Sequence, residues 1–168
     1  ALLNSQPMGF YSPSQLVQDA KRHKIVIRPI DVMHSDWDAK LEDLPLHSNT
    51  AQQSAVRLGM SLLRGMSQAA AERISQARQQ AIFSDIQDLA RRAQLNRTNL
   101  EALADGNALA ALSGNRHQAL WQAVAAVPDK DLLKPTTLAE APAQLSTPSE
   151  AQEILRDYHS TGLTLQRH

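Results

Sequence analysis

The stretch Leu63-Arg64-Gly65-Met66-Ser67-Gln68-Ala69-Ala70-Ala71-Glu72-Arg73-Ile74 combines residue types that can hold a phosphate without any catalytic group. Gly65 permits a tight turn and a close approach of backbone to ligand. Ser67 can cap a following helix, whose first N–H groups have no acceptor inside the helix itself. Such a turn beside a helix N-terminus offers a phosphate several backbone donors and a favourable dipole, with no selection of base. On this reading the backbone-binding set is Arg64, Gly65, Met66, Ser67, Gln68, Ala69 and Arg73, with the two arginines adding charge and Met66 pinning the turn to its own core. The same residues also make an ordinary connection between helices, in which Ser67 only caps and the arginines face water. Both readings stay open on the pattern alone.

Charge distribution bears on the choice. Seventeen basic residues cancel seventeen acidic ones over the 168-residue chain, yet between Arg57 and Arg97 seven arginines stand against Glu72, Asp85 and Asp88. That local excess of four suits a polyanion, or equally a solvated helix face. Too few aromatic side chains accompany the arginines to make a stacking platform for single strands, which favours a duplex backbone as the target. Asn96-Arg97-Thr98-Asn99, with Arg91 and Arg92 just upstream, forms a second phosphate-facing candidate, although Asn96 and Thr98 also account for a plain helix start. The cluster Lys21-Arg22-His23-Lys24 falls at an expected helix C-terminus, where the dipole alone favours positive charge.

Other chemistries find little support. His34 and His47 lie among Asp31, Asp36, Asp38 and Asp43 without a metal-ligand spacing. Asp36 and Asp38 share a face only if extended, and two carboxylates alone do not make a two-metal centre. With no glycine-rich nucleotide loop and no serine nucleophile elbow, no catalytic residue and no metal ligand is assigned. Zero cysteines exclude disulfides and thiol nucleophiles and are compatible with a reducing cytoplasm. No apolar run of about 18 residues is present, so no membrane partner is expected.

These candidates need elements to position them. The apolar side is rich in Ala and Leu, 25 and 23 residues, against two each of Phe, Tyr and Trp, a balance that favours closely packed helices. The fold class expected is mainly α with a small α/β part. Ser12 and Pro13 start a helix to about Lys24; Ile25–Val32, interrupted by Pro29, reads as a short edge strand. Strands are also expected within 35–42 and at 55–59, separated by an exposed connection at 44–53. Helical segments follow at 60–64, 68–80 capped by Ser67, 84–93, 96–104 capped by Asn96 and broken by Gly106, a short turn of helix after 107, and a last one led by Asn115. Four prolines between 128 and 148 mark an irregular arm before a helix at 149–159 opened by Ser149 and Gln152. The expected division is a mixed α/β unit at 1–59, a helical unit at 60–126, and an arm, short helix and linker at 127–168.

Several ordered motifs carry a resemblance. Leu3-Asn4-Ser5-Gln6-Pro7-Met8-Gly9-Phe10-Tyr11-Ser12-Pro13 resembles the fingers region of bacterial C-family DNA polymerases, the replicative alpha-subunit family. Gln15 through His23, Asp31-Val32 and Ser35-Asp36-Trp37-Asp38 resemble its error-prone accessory branch in particular. The likeness continues through Arg57-Leu58-Gly59, the hairpin, Asp88 to Ala93, Leu100 to Leu103, Arg116 to Trp121, Asp157-Tyr158 and Ser160-Thr161-Gly162-Leu163. It implies a helix-hairpin-helix domain that binds the backbone of duplex primer–template DNA through Gly65, Met66, Ser67 and the helix start behind them. It also implies a parent enzyme used in damage-induced translesion synthesis, with magnesium-dependent nucleotidyl transfer on palm carboxylates upstream of this segment. This chain would then be an inactive excerpt with no cofactor of its own, preceding an oligonucleotide-binding fold. The implied partners of the parent are the sliding clamp and a non-catalytic mutagenesis-complex protein, in the cytoplasm. Two positions depart from the family pattern: Ser67 stands where a second small glycine is common, and Gly106 where an acidic residue or alanine is usual. The alternative class is a structural or protein-interaction module that docks polymerase domains or that partner.

Overall fold

The structure, a computed structural model, describes residues 2–6, 9–44, 54–125 and 149–165. The expected connection at 44–53 and the irregular arm at 127–148 fall almost wholly outside these residues.

Seven helices and one three-stranded sheet make up the described residues, in the order α1 (Pro13–Arg22), β1 (Val26–Arg28), β2 (Lys40–Asp43), β3 (Ser54–Arg57), α2 (Gln68–Gln80), α3 (Ile86–Arg92), α4 (Arg97–Asp105), α5 (Ala110–Ser113), α6 (Arg116–Ala125) and α7 (Glu150–Thr161). This is the mainly α architecture with a small α/β part that composition and patterning predict. Local chemistry fixes the helix starts. Ser12 and Ser149 each form a capping box with the glutamine three residues on, and Ser67, Asp85 and Asn96 accept the N3 backbone N–H of α2, α3 and α4. Each such cap contributes about 1 kcal/mol. For α3 the cap is Asp85 rather than Ser84, because the aspartate carboxylate takes the Asp88 N–H at 2.8 Å.

The sheet has the order β1-β3-β2, with β1 parallel and β2 antiparallel to the central strand. An edge position for β1 agrees with Pro29, which would interrupt a ladder on both sides. Residues 35–39, expected within a strand, carry none: a turn at 32–34 and a bend at 37–38 precede β2, which begins only at Lys40. Arg57 on the central strand is buried and held by a bidentate pair with Glu42, both bonds 3.0 Å, and by the Pro29 carbonyl. Its guanidinium holds the Glu42 carboxyl below its ordinary pKa, an effect larger than the opposing push of burial.

One hydrophobic core joins the sheet unit to the helices. It runs from Val17, Ile30, Val32 and Leu58 through Met60, Leu63 and Met66 to Ile74, Leu89, Leu100 and Leu103, and takes in Leu163 beyond α7. On α2 the buried face is Ala70, Ala71, Ile74 and Ala77, all small but one, so α3 can approach closely. Backbone bonds cross between the two units as well: the Val32 N–H donates to the Ala108 carbonyl at 3.0 Å. Gly59 marks a point where chains nearly touch, since a Cβ there would lie 2.4 Å from the backbone of Trp37 and Asp38. Residues 149–165 pack on this body rather than trailing from it, with Ser160, Leu163 and Thr164 buried.

Candidate nucleic-acid interface

The hairpin turn lies between a short 3-10 helix, Met60–Leu62, and α2. Gly65 has φ +84°, the left-handed region that an L-residue adopts only with strain. Met66 is buried and fastens the turn to the core beneath it, while Arg64, Gly65, Ser67, Gln68 and Ala69 are exposed.

The donors of this turn divide into two sets. The Arg64 N–H donates to the Ser160 carbonyl at 2.9 Å and the Met66 N–H to the Leu63 carbonyl at 3.3 Å. The Ala70 N–H is taken by Ser67, through both its carbonyl and its Oγ. Among the described residues the N–H groups of Gly65, Ser67, Gln68 and Ala69 donate to no protein acceptor. Four exposed backbone donors therefore cluster in five consecutive residues at the positive end of a 13-residue helix. Arg64 supplies positive charge there, and among the described residues its side chain has no carboxylate partner. Ser67 keeps its N–H exposed and uses Oγ as the helix cap.

Arg73 lies elsewhere. Its Nε donates to the Ala93 carbonyl at 2.8 Å and its Nη2 to the Gln94 carbonyl at 3.3 Å, so the guanidinium caps the end of α3. Arg92 returns the arrangement: from α3 it donates to the Ala77 and Ala81 carbonyls at the end of α2 and to the Ile82 carbonyl beyond. It also covers the Phe83 ring at 4.9 Å and pairs with Asp88 at 3.1 Å. The two helices thus hold each other's C-terminal carbonyls with an arginine, where positive charge is favoured by the dipole. Arg78 is used in the same inward way, bonded to the Val32 and Ser35 carbonyls and to Asp36.

Of the seven arginines between 57 and 97, four are therefore engaged within the fold. Arg64, Arg91 and Arg97 face outward, the last two beside Asp88 at 3.0 Å and Glu101 at 2.8 Å. The second candidate turn keeps Asn96, Arg97 and Thr98 exposed, with the Asn96 Oδ1 occupied by the Asn99 N–H. It meets the first: a Cβ built on Gly65 would lie 3.7 Å from Thr98 Cγ2 and 3.8 Å from Ala102 Cβ. The structure thus brings Gly65 and Thr98 together, keeps Arg64 and Arg97 at the surface, and turns Arg73 and Arg92 to internal carbonyls. Ser160, which anchors Arg64, carried no chemical signal in the sequence beyond its place in the Ser160–Leu163 motif.

The acidic residues around 31–43 include carboxylates tied to internal partners. Among the described residues no group of three His, Asp or Glu is placed to hold an ion. Asp36 is instead bonded by Lys40, Ser75 and Arg78. Burial pushes its pKa up, and these three bonds outweigh burial and leave it below 3.8. Asp36 and Asp38 also lie before β2, with a bend at 37–38, so they share no strand face.

The family model described as "Helix-hairpin-helix motif" matches residues 24–119, more than half of the chain. The chain is 54% identical over 170 residues to an error-prone DNA polymerase of Burkholderia pseudomallei, a match covering 100% of the chain and 16% of that protein. It is 50% identical over 167 residues to one of Azoarcus sp., covering 99% of the chain and 16% of the relative. A third, from Methylococcus capsulatus, is 47% identical over 181 residues, covering 100% of the chain and 17% of the relative. The chain spans about a sixth of the length of these relatives.

Proposed function

This chain belongs to the helix-hairpin-helix motif family, and from that premise we propose that residues 64–69 hold the phosphate backbone of duplex DNA without reading its bases. The observation that carries the proposal is the set of four backbone N–H groups, on Gly65, Ser67, Gln68 and Ala69, which lie on exposed residues and have no acceptor among the described residues, beside an outward Arg64. Backbone donors at a helix N-terminus match a phosphate oxygen in charge and geometry and are indifferent to sequence. Arg91 and Arg97 are the outward charges that would extend the contact. Within a longer error-prone DNA polymerase the chain's part is to position primer–template duplex, while nucleotidyl transfer, its magnesium ions and a translesion role belong to the whole enzyme. The sliding clamp, the mutagenesis-complex protein and a cytoplasmic setting are proposed for that whole enzyme on the same resemblance.

The test is equilibrium binding of fluorescent primer–template duplex by fluorescence anisotropy over a range of salt. Each phosphate charge neutralised contributes about −0.9 to the slope of log K against log salt. We expect equal affinity for duplexes of unrelated sequence, weaker binding of single strands, and a slope that Arg64→Ala makes shallower by about 0.9. Salt-independent binding unaffected by Arg64→Ala, or a preference for one base sequence, would refute the proposal.

A further inference from the structure

We infer that Arg73 is a positioning residue for the phosphate-binding turn and makes no phosphate contact itself. The inference rests on the phosphate reading of the hairpin and assigns a role within it.

The chain of contacts starts at the end of α3. There the Leu95 N–H bonds to the Ala90 carbonyl at 2.9 Å and the Gln94 N–H to the Arg91 carbonyl at 3.4 Å, the pattern of a Schellman motif. Its left-handed position is occupied by Gln94, at φ +49°, where glycine is the usual residue. A non-glycine residue held in this region is disfavoured locally and persists only when its surroundings fix it. The Arg73 guanidinium supplies that fixation with a fork of two bonds, one to each of the Ala93 and Gln94 carbonyls. Two residues later Asn96 caps α4, so the direction in which α4 leaves is set at this bend.

Helix α4 is the wall behind the hairpin. Its Thr98 and Ala102 side chains lie in van der Waals distance of the space beside the Gly65 Cα. Gly65 in turn separates the two anchored amides of the turn, Arg64 on the Ser160 carbonyl and Met66 on the Leu63 carbonyl. Arg73 therefore acts at a distance: it fixes the bend, the bend aims α4, and α4 supports the turn that presents the open donors. Because its charge is already directed at two carbonyls, its removal should change the geometry of the turn and leave the count of phosphate charges alone.

The test measures duplex affinity against salt for the wild-type chain, Arg64→Ala, Arg73→Ala and Arg73→Lys, together with backbone amide spectra of each free protein. We expect Arg73→Ala to weaken binding about fivefold at every salt concentration, the effect of a lost hydrogen-bonded support, with the slope unchanged. In the absence of DNA its amides at Gly65 and Leu95–Asn99 should shift. Arg73→Lys should recover only part of the affinity, since an ammonium cannot reproduce a fork on two carbonyls, and this variant serves if the alanine protein does not fold. A slope shallower by about 0.9 for Arg73→Ala, as for Arg64→Ala, would make Arg73 a phosphate contact and overturn the inference. So would full recovery in Arg73→Lys, or free-state amides that do not move. If the wild-type chain fails to bind duplex at all, the phosphate reading falls, and the positioning role is then decided by the free-state spectra alone.

Discussion

Replacing Gly106 with alanine should destabilise the fold, and the cause should be Leu63. Gly106 has φ −81° and ψ 6°, a backbone conformation open to any residue, so the glycine is not needed for its dihedral freedom. The left-handed residue at this helix end is Asn107, at φ +54°. What glycine provides is space: a Cβ at 106 would lie 2.0 Å from Leu63 Cδ2 and 3.2 Å from the Ala102 carbonyl oxygen. Carbon atoms pack at about 3.5–4.0 Å, so the end of Leu63 must retreat by roughly 1.5–2 Å. Leu63 is 3% exposed and belongs to the hydrophobic core. Overpacking of this kind costs about 1–3 kcal/mol, offset by about 0.4–1 kcal/mol from the reduced entropy of the unfolded chain, which leaves a net loss of up to about 2.6 kcal/mol, about 1.3 at mid-range. Leu63→Ala alone should cost about 2–5 kcal/mol through the cavity it opens. In the double variant the new methyl group enters that cavity, so the combined loss should fall short of the sum by about 1–2 kcal/mol. Urea unfolding of the four proteins, with m-values compared to check two-state behaviour, measures the coupling. Additivity within about 0.5 kcal/mol, or a Gly106→Ala protein more stable than wild type, would refute the reasoning.

Arg116 should be a second sensitive position. Its side chain is 1% exposed and joins α6 to α7 through Glu153 at 3.0 Å and through Asp157, whose other oxygen accepts from Thr164. Arg116→Met leaves two carboxylates without their cation and should cost about 3 kcal/mol in urea unfolding, with α7 amides the first to lose exchange protection. Acid should also weaken the fold: Asp36 and Glu42 are both held below their ordinary values of 3.8 and 4.5. A depressed folded-state pKa means that the stabilisation is present above the unfolded value and is lost as pH falls through the folded one. The melting temperature should therefore hold steady above about pH 5 and fall below about pH 4, and Asp36→Asn should flatten part of that decline.

Much of this architecture was legible because its signals are local. Ser12, Ser67, Asn96 and Ser149 announce their helices through a single side-chain bond to the N3 amide, and the structure finds each of them in that bond. The hairpin was legible for the same reason, since a glycine at positive φ and a capping serine lie within three residues. The arginines were not. A count of charge gives an excess of four but cannot say that Arg57, Arg73, Arg78 and Arg92 reach carbonyls and carboxylates up to 46 residues away in sequence. Long, flexible side chains carry no register that would reveal their partners. Nor could the strand expected near 35–42 be placed, because its start depends on Asp36 turning toward Lys40 and Arg78 from different elements. Gly106 does end α4, as its type suggests, but the close approach of Leu63, 43 positions earlier, has no local signal.

The central claim is that the open amides of the hairpin receive the DNA backbone, and it can be watched atom by atom. In an ¹⁵N–¹H correlation spectrum titrated with unlabelled primer–template duplex, the amides of Gly65, Ser67, Gln68 and Ala69 should move together and saturate at one dissociation constant. The Arg64 and Met66 amides, already bonded within the protein, should move less. Duplex binding that perturbs other surfaces while those four amides stay in place would contradict the account.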